Sequence, residues 1–515
     1  MSGARHAAKI FERAVGHHRA GRLPEAEADY RRVLEADSGH TDSLHLLGVI
    51  ATQLGRADLA AGLIGSAIRL QPFAPDYHNN LGIALSALDR LAEAEASFRE
   101  AIRLQPDFAE ARNNLGNALK DMGRLDEAER CYSTALKLKG DYAAAHNNLG
   151  TVLAARERLE EAEACYRRAL AFDPRYPEAF NNLANVVRGL GRLDEAEAGF
   201  RQALDLAPHY AEAHYNLAWV LLLTGQYEEG WREFEWRWRL KSPETRRQFA
   251  APLWQGEPLD GRTLLLHAEQ GAGDSFMFCR YAALAAARGR IVLEVPKPLV
   301  RLFRTLPVDA VVATGETLPP FDLHCPLLSL PLAFGTTVAT IPAELPYLRA
   351  DPALAADWRS RLEALPGLRV GLVWAGNPNQ PDDHRRSLAS GQLAAFADLP
   401  GISFVSLQKD AAAPAPPMAD WTGELGDYAD TAALIDGLDL VVGVDTGIVH
   451  LAAALGKPVW LLNRFDPYFA WLTGRADSPW YPGLRQFRQS RPGDWDGVLQ
   501  RVRSALAERA GAAGG

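Results

Sequence analysis

Small, aromatic and asparagine positions recur with a period of 34 through the first half of the chain. The run N-N-L-G stands at Asn79–Gly82, Asn113–Gly116 and Asn147–Gly150, and N-N-L-A at Asn181–Ala184. The small residue recurs at Ala14, Gly48 and Ala218. Twelve positions beyond it lies an alanine (Ala26, Ala60, Ala94, Ala128, Ala162, Ala196). Four further on lies Tyr30, Ile64, Phe98, Tyr132, Tyr166 or Phe200. Pro72, Pro106, Pro174 and Pro208 close repeats, with Gly140 once instead. Small residues at fixed positions let two antiparallel helices touch, the large residue fills the groove between them, and proline ends the second helix. The last copy departs from the pattern: Gly230 replaces the alanine, Arg237 a later small residue, and Trp231, Phe234, Trp236 and Trp238 crowd together. That stretch reads as a cap and a seam to the next domain.

The period then changes. Thr263–Ala268, Arg290–Val295 and Asp309–Ala313 are short apolar runs, followed by a connector with a helix over Leu345–Leu365. A second series follows at Leu368–Ala375, Ile402–Leu407, Leu438–Val444 and Pro458–Leu462. Continuous apolar runs separated by helical stretches predict parallel strands covered on both faces. Two such series predict two Rossmann-like lobes, with ligands beyond the carboxyl ends of the strands.

The repeats resemble the tetratricopeptide repeat. The expected fold is an all-α superhelix followed by an α/β domain. The expected organisation is repeats over 7–240, a linker over 241–261, a first lobe over 262–345, a connector over 346–366, a second lobe over 367–508 and a flexible tail over 509–515. Composition agrees with a folded chain: 48% of the 515 residues are hydrophobic and 23% charged. Four cysteines are too few for a disulfide framework and read as reduced thiols in the cytoplasm; Cys131 and Cys165, at one repeat position, read as packing residues. A net charge of −9 argues against bulk nucleic-acid binding. No apolar run is long enough for a membrane span, and the N-terminal stretch reads as an amphipathic helix.

Asn80, Asn114, Asn148, Asn182 and Asn216 occupy one position of five successive first helices, and Leu46 breaks the column. First helices line the concave face of such superhelices, where carboxamides can bond both sides of an extended peptide backbone. The column is similar to the asparagine ladder of the O-GlcNAc transferases. The other reading is a duplicated polar residue that bonds the neighbouring helix. As concave-face residues, these asparagines are expected to contribute little to the core.

Chemistry concentrates at strand ends. The strand ending at Val444 runs into Asp445, Thr446 and Gly447, which open a helix carrying His450 in its first turn. Free N–H groups and a positive dipole end there suit a phosphate, unless Asp445 or Thr446 merely caps the helix. An aspartic protease is excluded, because the only similar triplet, Asp37-Ser38-Gly39, lies in a repeat turn. The stretch D-T-G-x-x-H-L-A-x-A-L-G-K-P resembles the donor-site motif of the heptosyltransferase family of GT-B glycosyltransferases. The loop EQGAGD over Glu269–Asp274 resembles that family's opening loop. Trp374–Leu388 and Ser406–Asp410 are similar to bacterial proteins that join tetratricopeptide repeats to such a domain, among them flagellin glycosyltransferases.

The resemblance implies roles. Asp274 matches the general base, the alternative being a helix cap. Lys409 matches a phosphate-binding lysine. Arg385 and Arg386 have planar forks suited to phosphate or a sugar carboxylate, or are a solvated pair. Asn377 is placed to bond a sugar hydroxyl. Trp471, Trp480 and Tyr481 are stacking candidates or core residues. The histidines lack paired ligand spacing and no D-x-D cluster ends a strand, so no metal and no other cofactor is expected. The function implied is inverting, metal-independent transfer of a sugar from a nucleotide sugar to Ser or Thr of a protein held by the repeats, flagellin being one candidate acceptor. The alternatives are a non-catalytic repeat adaptor and a polysaccharide- or lipid-directed glycosyltransferase.

Overall fold

The computed structural model describes residues 2–240, 247, 249–380, 382–409 and 416–513. Residues 241–246 and 248 of the expected linker, 514–515 of the expected tail, and Pro381 and Asp410 in two of the motifs, lie outside the described residues. The chain forms two compact units. One comprises Met1–Leu190 with Gln202–Pro208, the other Gly191–Arg201 with His209–Gly515.

The first unit is built of antiparallel helix pairs, among them Pro75–Ala87 with Leu91–Leu104, Ala109–Asp121 with Leu125–Leu138, and Ala143–Ala155 with Leu159–Phe172. The 34-residue code is read out in contacts. A Cβ added at Gly82 would sit 2.5 Å from the Phe98 ring, and one at Gly116 2.6 Å from that of Tyr132. The small residue is the hole and the aromatic the knob. Each helix pair turns through a left-handed residue: Gly55 and Gly123 adopt φ of +72° and +76°, and Asp89 and Glu157 hold the equivalent place at φ 58°. Arginines at the start of second helices pair back to the preceding repeat: Arg56 to Glu27 and Arg124 to Glu95 at 2.6 Å, Arg158 to Glu129 at 2.7 Å.

The second unit begins with the last repeat. Helices Ala211–Leu223 and Tyr227–Phe234 bury Trp231 and Phe234 against Phe278, Phe469 and Trp480. The Trp480 indole donates to the Tyr227 hydroxyl at 2.8 Å. This is the seam expected from the aromatic crowding. Trp236 stands apart from it, stacked on His214 at 3.7 Å.

Among the described residues ten strands follow: β1 (Thr263–His267), β2 (Arg290–Val295), β3 (Ala310–Ala313), β4 (Leu323–Pro326), β5 (Leu368–Val373), β6 (Ile402–Ser406), β7 (Met418–Ala419), β8 (Leu440–Val444), β9 (Val459–Asn463) and β10 (Leu484–Arg488). They form two sheets, ordered β3-β2-β1-β4 and β10-β9-β8-β5-β6-β7, parallel throughout. The expected α/β character is present. Arg280, buried between the sheets' helices and loops, donates to the carbonyls of Met277 and Trp480 and to the Tyr347 hydroxyl, at 2.7, 2.7 and 2.9 Å. Of the tail expected over 509–515, the described residues 509–513 continue the helix Trp495–Ala513, whose Leu506 is buried in the core of the second sheet. Among the described residues no helix is long and apolar enough to cross a membrane.

Candidate functional site

Two loops meet at the carboxyl ends of β1 and β8. β1 and β8 are buried nearly throughout, which the apolar runs demanded, and each releases its chain into a helix, Ala272–Phe278 and Gly447–Ala454. Gly273 and Gly447 face each other so closely that a Cβ on Gly447 would lie 3.4 Å from the Gly273 nitrogen. One on Gly273 would meet the His450 ring at 3.3 Å. The small residues let the two backbones approach, and a Cβ on Gly273 would press on the His450 ring. The contact brings Asp274, Asp445 and His450 into one cluster.

Asp274 lies in the first turn of its helix, and its Oδ1 accepts a hydrogen bond from the Tyr468 hydroxyl at 2.8 Å. Burial pushes its carboxyl above the ordinary range. The Tyr468 hydroxyl and His450 pull the other way, and Asp445 adds to the rise. Asp445 moves oppositely. Burial works against its ionisation too, but His450 and the Arg386 guanidinium outweigh that and hold its carboxyl low. The His450 ring is buried, with Nε2 3.6 Å from Asp445, Nδ1 2.9 Å from the Tyr481 hydroxyl, and a face stacked on Trp471 at 5.0 Å. Trp471, Trp480 and Tyr481 are therefore core residues, two of which hold the histidine.

Thr446 is the N-cap residue of the Gly447–Ala454 helix, which has no side-chain cap, and its buried Oγ1 has no partner among the described residues. Arg386 reaches the same place. Its Nη1 donates to the Asp445 carbonyl at 3.2 Å and its Nε to Asp383 at 2.9 Å, while Ser387 donates to the other oxygen of Asp383 at 2.7 Å. Arg385 pairs with Asp466 at 2.9 Å. Lys409, beyond the end of β6, donates to the Leu425 carbonyl at 2.9 Å. Asn377 is exposed, and its Oδ1 accepts from the Asn379 amide at 3.0 Å within its own loop. Asp274, Asp445, Thr446, Gly447, His450 and Arg386 are thus gathered in one place, and Lys409 and Asn377 make their contacts elsewhere.

In the repeats the asparagine column bonds from repeat to repeat. The amides of Asn114, Asn148 and Asn182 donate to Oδ1 of Asn79, Asn113 and Asn147, each at 3.0 Å. Asn80 meets Nε2 of His45, which stands where the others have asparagine, at 2.7 Å. Asn216 lies on Ala211–Leu223, within the second unit.

Sequence reasoning missed three elements of the site. Tyr468 has no motif around it. Asp383 orients Arg386 from the adjacent turn. Glu269, in the same loop as Asp274, is buried 2.9 Å from Arg237, whose Nη2 also donates to Ser329 at 2.7 Å. Burial pushes the Glu269 carboxyl up to about 7 against the pull of Arg237.

Comparison with known proteins fits this layout. Tetratricopeptide-repeat models match residues 11–75 and 113–177, 86–123, and 176–229. The model of glycosyltransferase family 9 (heptosyltransferase) matches residues 427–462, which span β8, Asp445, His450 and most of β9. Protein FlbA of Caulobacter vibrioides (strain ATCC 19089 / CIP 103742 / CB 15) is 28% identical over 320 residues, 56% of this chain and 53% of that protein. The match thus spans about half the length of that curated relative. A solved thermophilic tetratricopeptide-repeat protein of Thermus thermophilus is 27% identical over 36% of this chain and 100% of its own, with a TM-score of 0.32. PilF of Pseudomonas aeruginosa is 19% identical over 41% and 97%, with a TM-score of 0.37. The N-terminal part of the chain is thus similar to tetratricopeptide-repeat proteins, and a segment of its C-terminal region to glycosyltransferase family 9.

Proposed function

We propose that the protein is a glycosyltransferase of GT-B type that moves a sugar from a nucleotide-sugar donor to Ser or Thr hydroxyls of a protein acceptor engaged by the repeats. The observation that carries the reading is the pair of carboxylates, Asp274 and Asp445, gathered at two facing loops with their proton affinities pushed apart. A raised carboxyl suits a general base working near neutral pH. A low one beside His450 and Arg386 stays ionised and steadies the Arg386 guanidinium on the donor side.

In the proposed reaction the acceptor oxygen attacks the anomeric carbon. Its proton passes to the Asp274 carboxylate. The bond from the anomeric carbon to the phosphate oxygen breaks, and its electron pair leaves with the nucleotide. The negative charge that develops is met by the uncapped start of the Gly447–Ala454 helix and by Arg386. A single displacement with the base and the phosphate on opposite sides inverts the sugar. Cations and helix N–H groups serve the leaving group, so the reaction is proposed as metal-independent and without a cofactor.

The experiment is a thermal-shift screen of the purified protein against UDP-N-acetylhexosamines, CMP-nonulosonates, ADP-heptose and the free nucleotides. The right donor class raises the melting temperature by mass action. His450→Ala should weaken that shift, because the ring sets Asp445 at the helix start. No shift with any nucleotide or nucleotide sugar would defeat the reading.

A further inference from the structure

The loop that follows β9 carries none of the motif residues, yet it touches Asp274, His450 and Arg385. Phe465 packs on the turn at Gly191, where an added Cβ would lie 2.9 Å from its ring. Asp466 pairs with Arg385 and Trp471 stacks on His450. Tyr468 donates to Asp274. The ring of Tyr468 meets Trp219 of the last repeat edge-on, with centroids 5.3 Å apart and planes at 70°, and packs on Phe469 at 4.2 Å.

We propose that Tyr468 is a positioning residue for Asp274, held in place by Trp219, so that the helix Ala211–Leu223 of the last repeat is joined mechanically to the base. The proposal rests on the glycosyltransferase reading for the role of Asp274. Three observations carry it. One oxygen of Asp274 is fixed by the phenol, which restricts the orientation of the carboxyl. An edge-on contact with Trp219 and a tilted one with Phe469 restrict the phenol ring. Asn216 and Tyr215 stand three and four residues before Trp219, on its side of the helix. A peptide engaged at the last asparagine therefore lies beside the ring that sets Tyr468.

The titratable groups around Asp274 are Tyr468, His450, Asp445 and, in its own loop, Glu269. Burial and the carboxylates of Asp274 and Asp445 push the Tyr468 phenol well above its ordinary range, so it remains a donor at every working pH. Its hydrogen bond favours the ionised form of Asp274.

The test uses the full chain and needs no ligand for its first readout. Urea unfolding is followed against pH for the parent, Tyr468→Phe and Trp219→Leu, each with Asp or Asn at position 274. The difference between the Asp and Asn proteins isolates the titration of Asp274. Tyr468→Phe should move the midpoint of that difference to higher pH, and Trp219→Leu should move it the same way by less. An unchanged midpoint in Tyr468→Phe means the phenol only packs, and overturns the proposal. An unchanged midpoint in Trp219→Leu overturns the link to the repeat.

The second readout is transfer with whichever of UDP-N-acetylhexosamine, CMP-nonulosonate or ADP-heptose gives the thermal shift. Tyr468→Phe should slow it about ten-fold or more on the acid side, with a smaller loss on the alkaline side, since a hydrogen bond to a charged group is lost. The midpoint shift without transfer by any protein would leave the coupling standing and defeat the glycosyltransferase reading instead.

Discussion

Replacing Asn148 by alanine separates the two roles open to the asparagine column. Its amide donates to Oδ1 of Asn113 across the repeat boundary at 3.0 Å, and Asn113 is only 4% exposed. A net hydrogen bond contributes about 0.5–1.5 kcal/mol, and stranding a buried partner raises the cost to about 1–3 kcal/mol. Among the described residues the Asn113 side chain then retains a long contact to Asn114, at 3.4 Å. Asn148→Ala should therefore lower the unfolding free energy by about 1–3 kcal/mol, and Asn182→Ala, which strands Asn147, by a similar amount. Urea titration followed by circular dichroism measures both. This runs against the expectation that the column contributes little to the core: Asn114, Asn148 and Asn182 each bond a buried carboxamide of the preceding repeat. A variant as stable as the parent would refute the structural role. The acceptor role is read separately, below the unfolding transition, as loss of transfer to protein with donor hydrolysis retained.

Two further outcomes concern the repeats. Gly116→Ala drives a methyl to 2.6 Å from the Tyr132 ring and should cost about 1–3 kcal/mol by overpacking, whereas Gly16→Ala, with nothing within 4 Å, should lose nothing; melting temperatures check this. Burial pushes His45 down to about 4, so it is neutral in the folded chain and ordinary once unfolded. Its contribution is present above about pH 6.5 and is lost as pH falls toward 4, a change of about 3 kcal/mol. His45→Asn, which restores the residue found in the other copies, should remove that acid sensitivity; an equal slope of stability with pH in both proteins would contradict it.

How much of the fold and the site was legible in the sequence depends on how far each contact reaches. Gly116 and Tyr132 recur at the same separation in copy after copy, so the knob and its hole are legible as a pattern. β8 and the D-T-G turn are legible because a buried parallel strand is a continuous apolar run, whose end is where a ligand must sit. β10 was missed because Arg485, Gln486 and Arg488 interrupt the run on an edge strand. β4 was missed because it is four residues long and carries His324. Tyr468 was hidden for a different reason. It meets Asp274 across 194 residues of sequence, and an aromatic residue outside a motif looks like core. The asparagine column was visible as a column, but the first asparagine of each N-N pair, which is the buried acceptor, was not recognised as its partner.

The most direct measurement is of Asp274→Asn. The amide keeps the shape and can still accept from Tyr468, but it cannot take a proton. The account predicts donor binding close to the parent's, measured by thermal shift, and transfer slowed roughly 10²-fold or more. It also predicts a stability change of definite sign. A carboxyl whose folded pKa is raised contributes stability at low pH that is lost as pH rises through that pKa. Asp274→Asn should therefore match the parent in acid and exceed it at neutral pH. A variant that transfers sugar at the parent rate would contradict the assignment of the base.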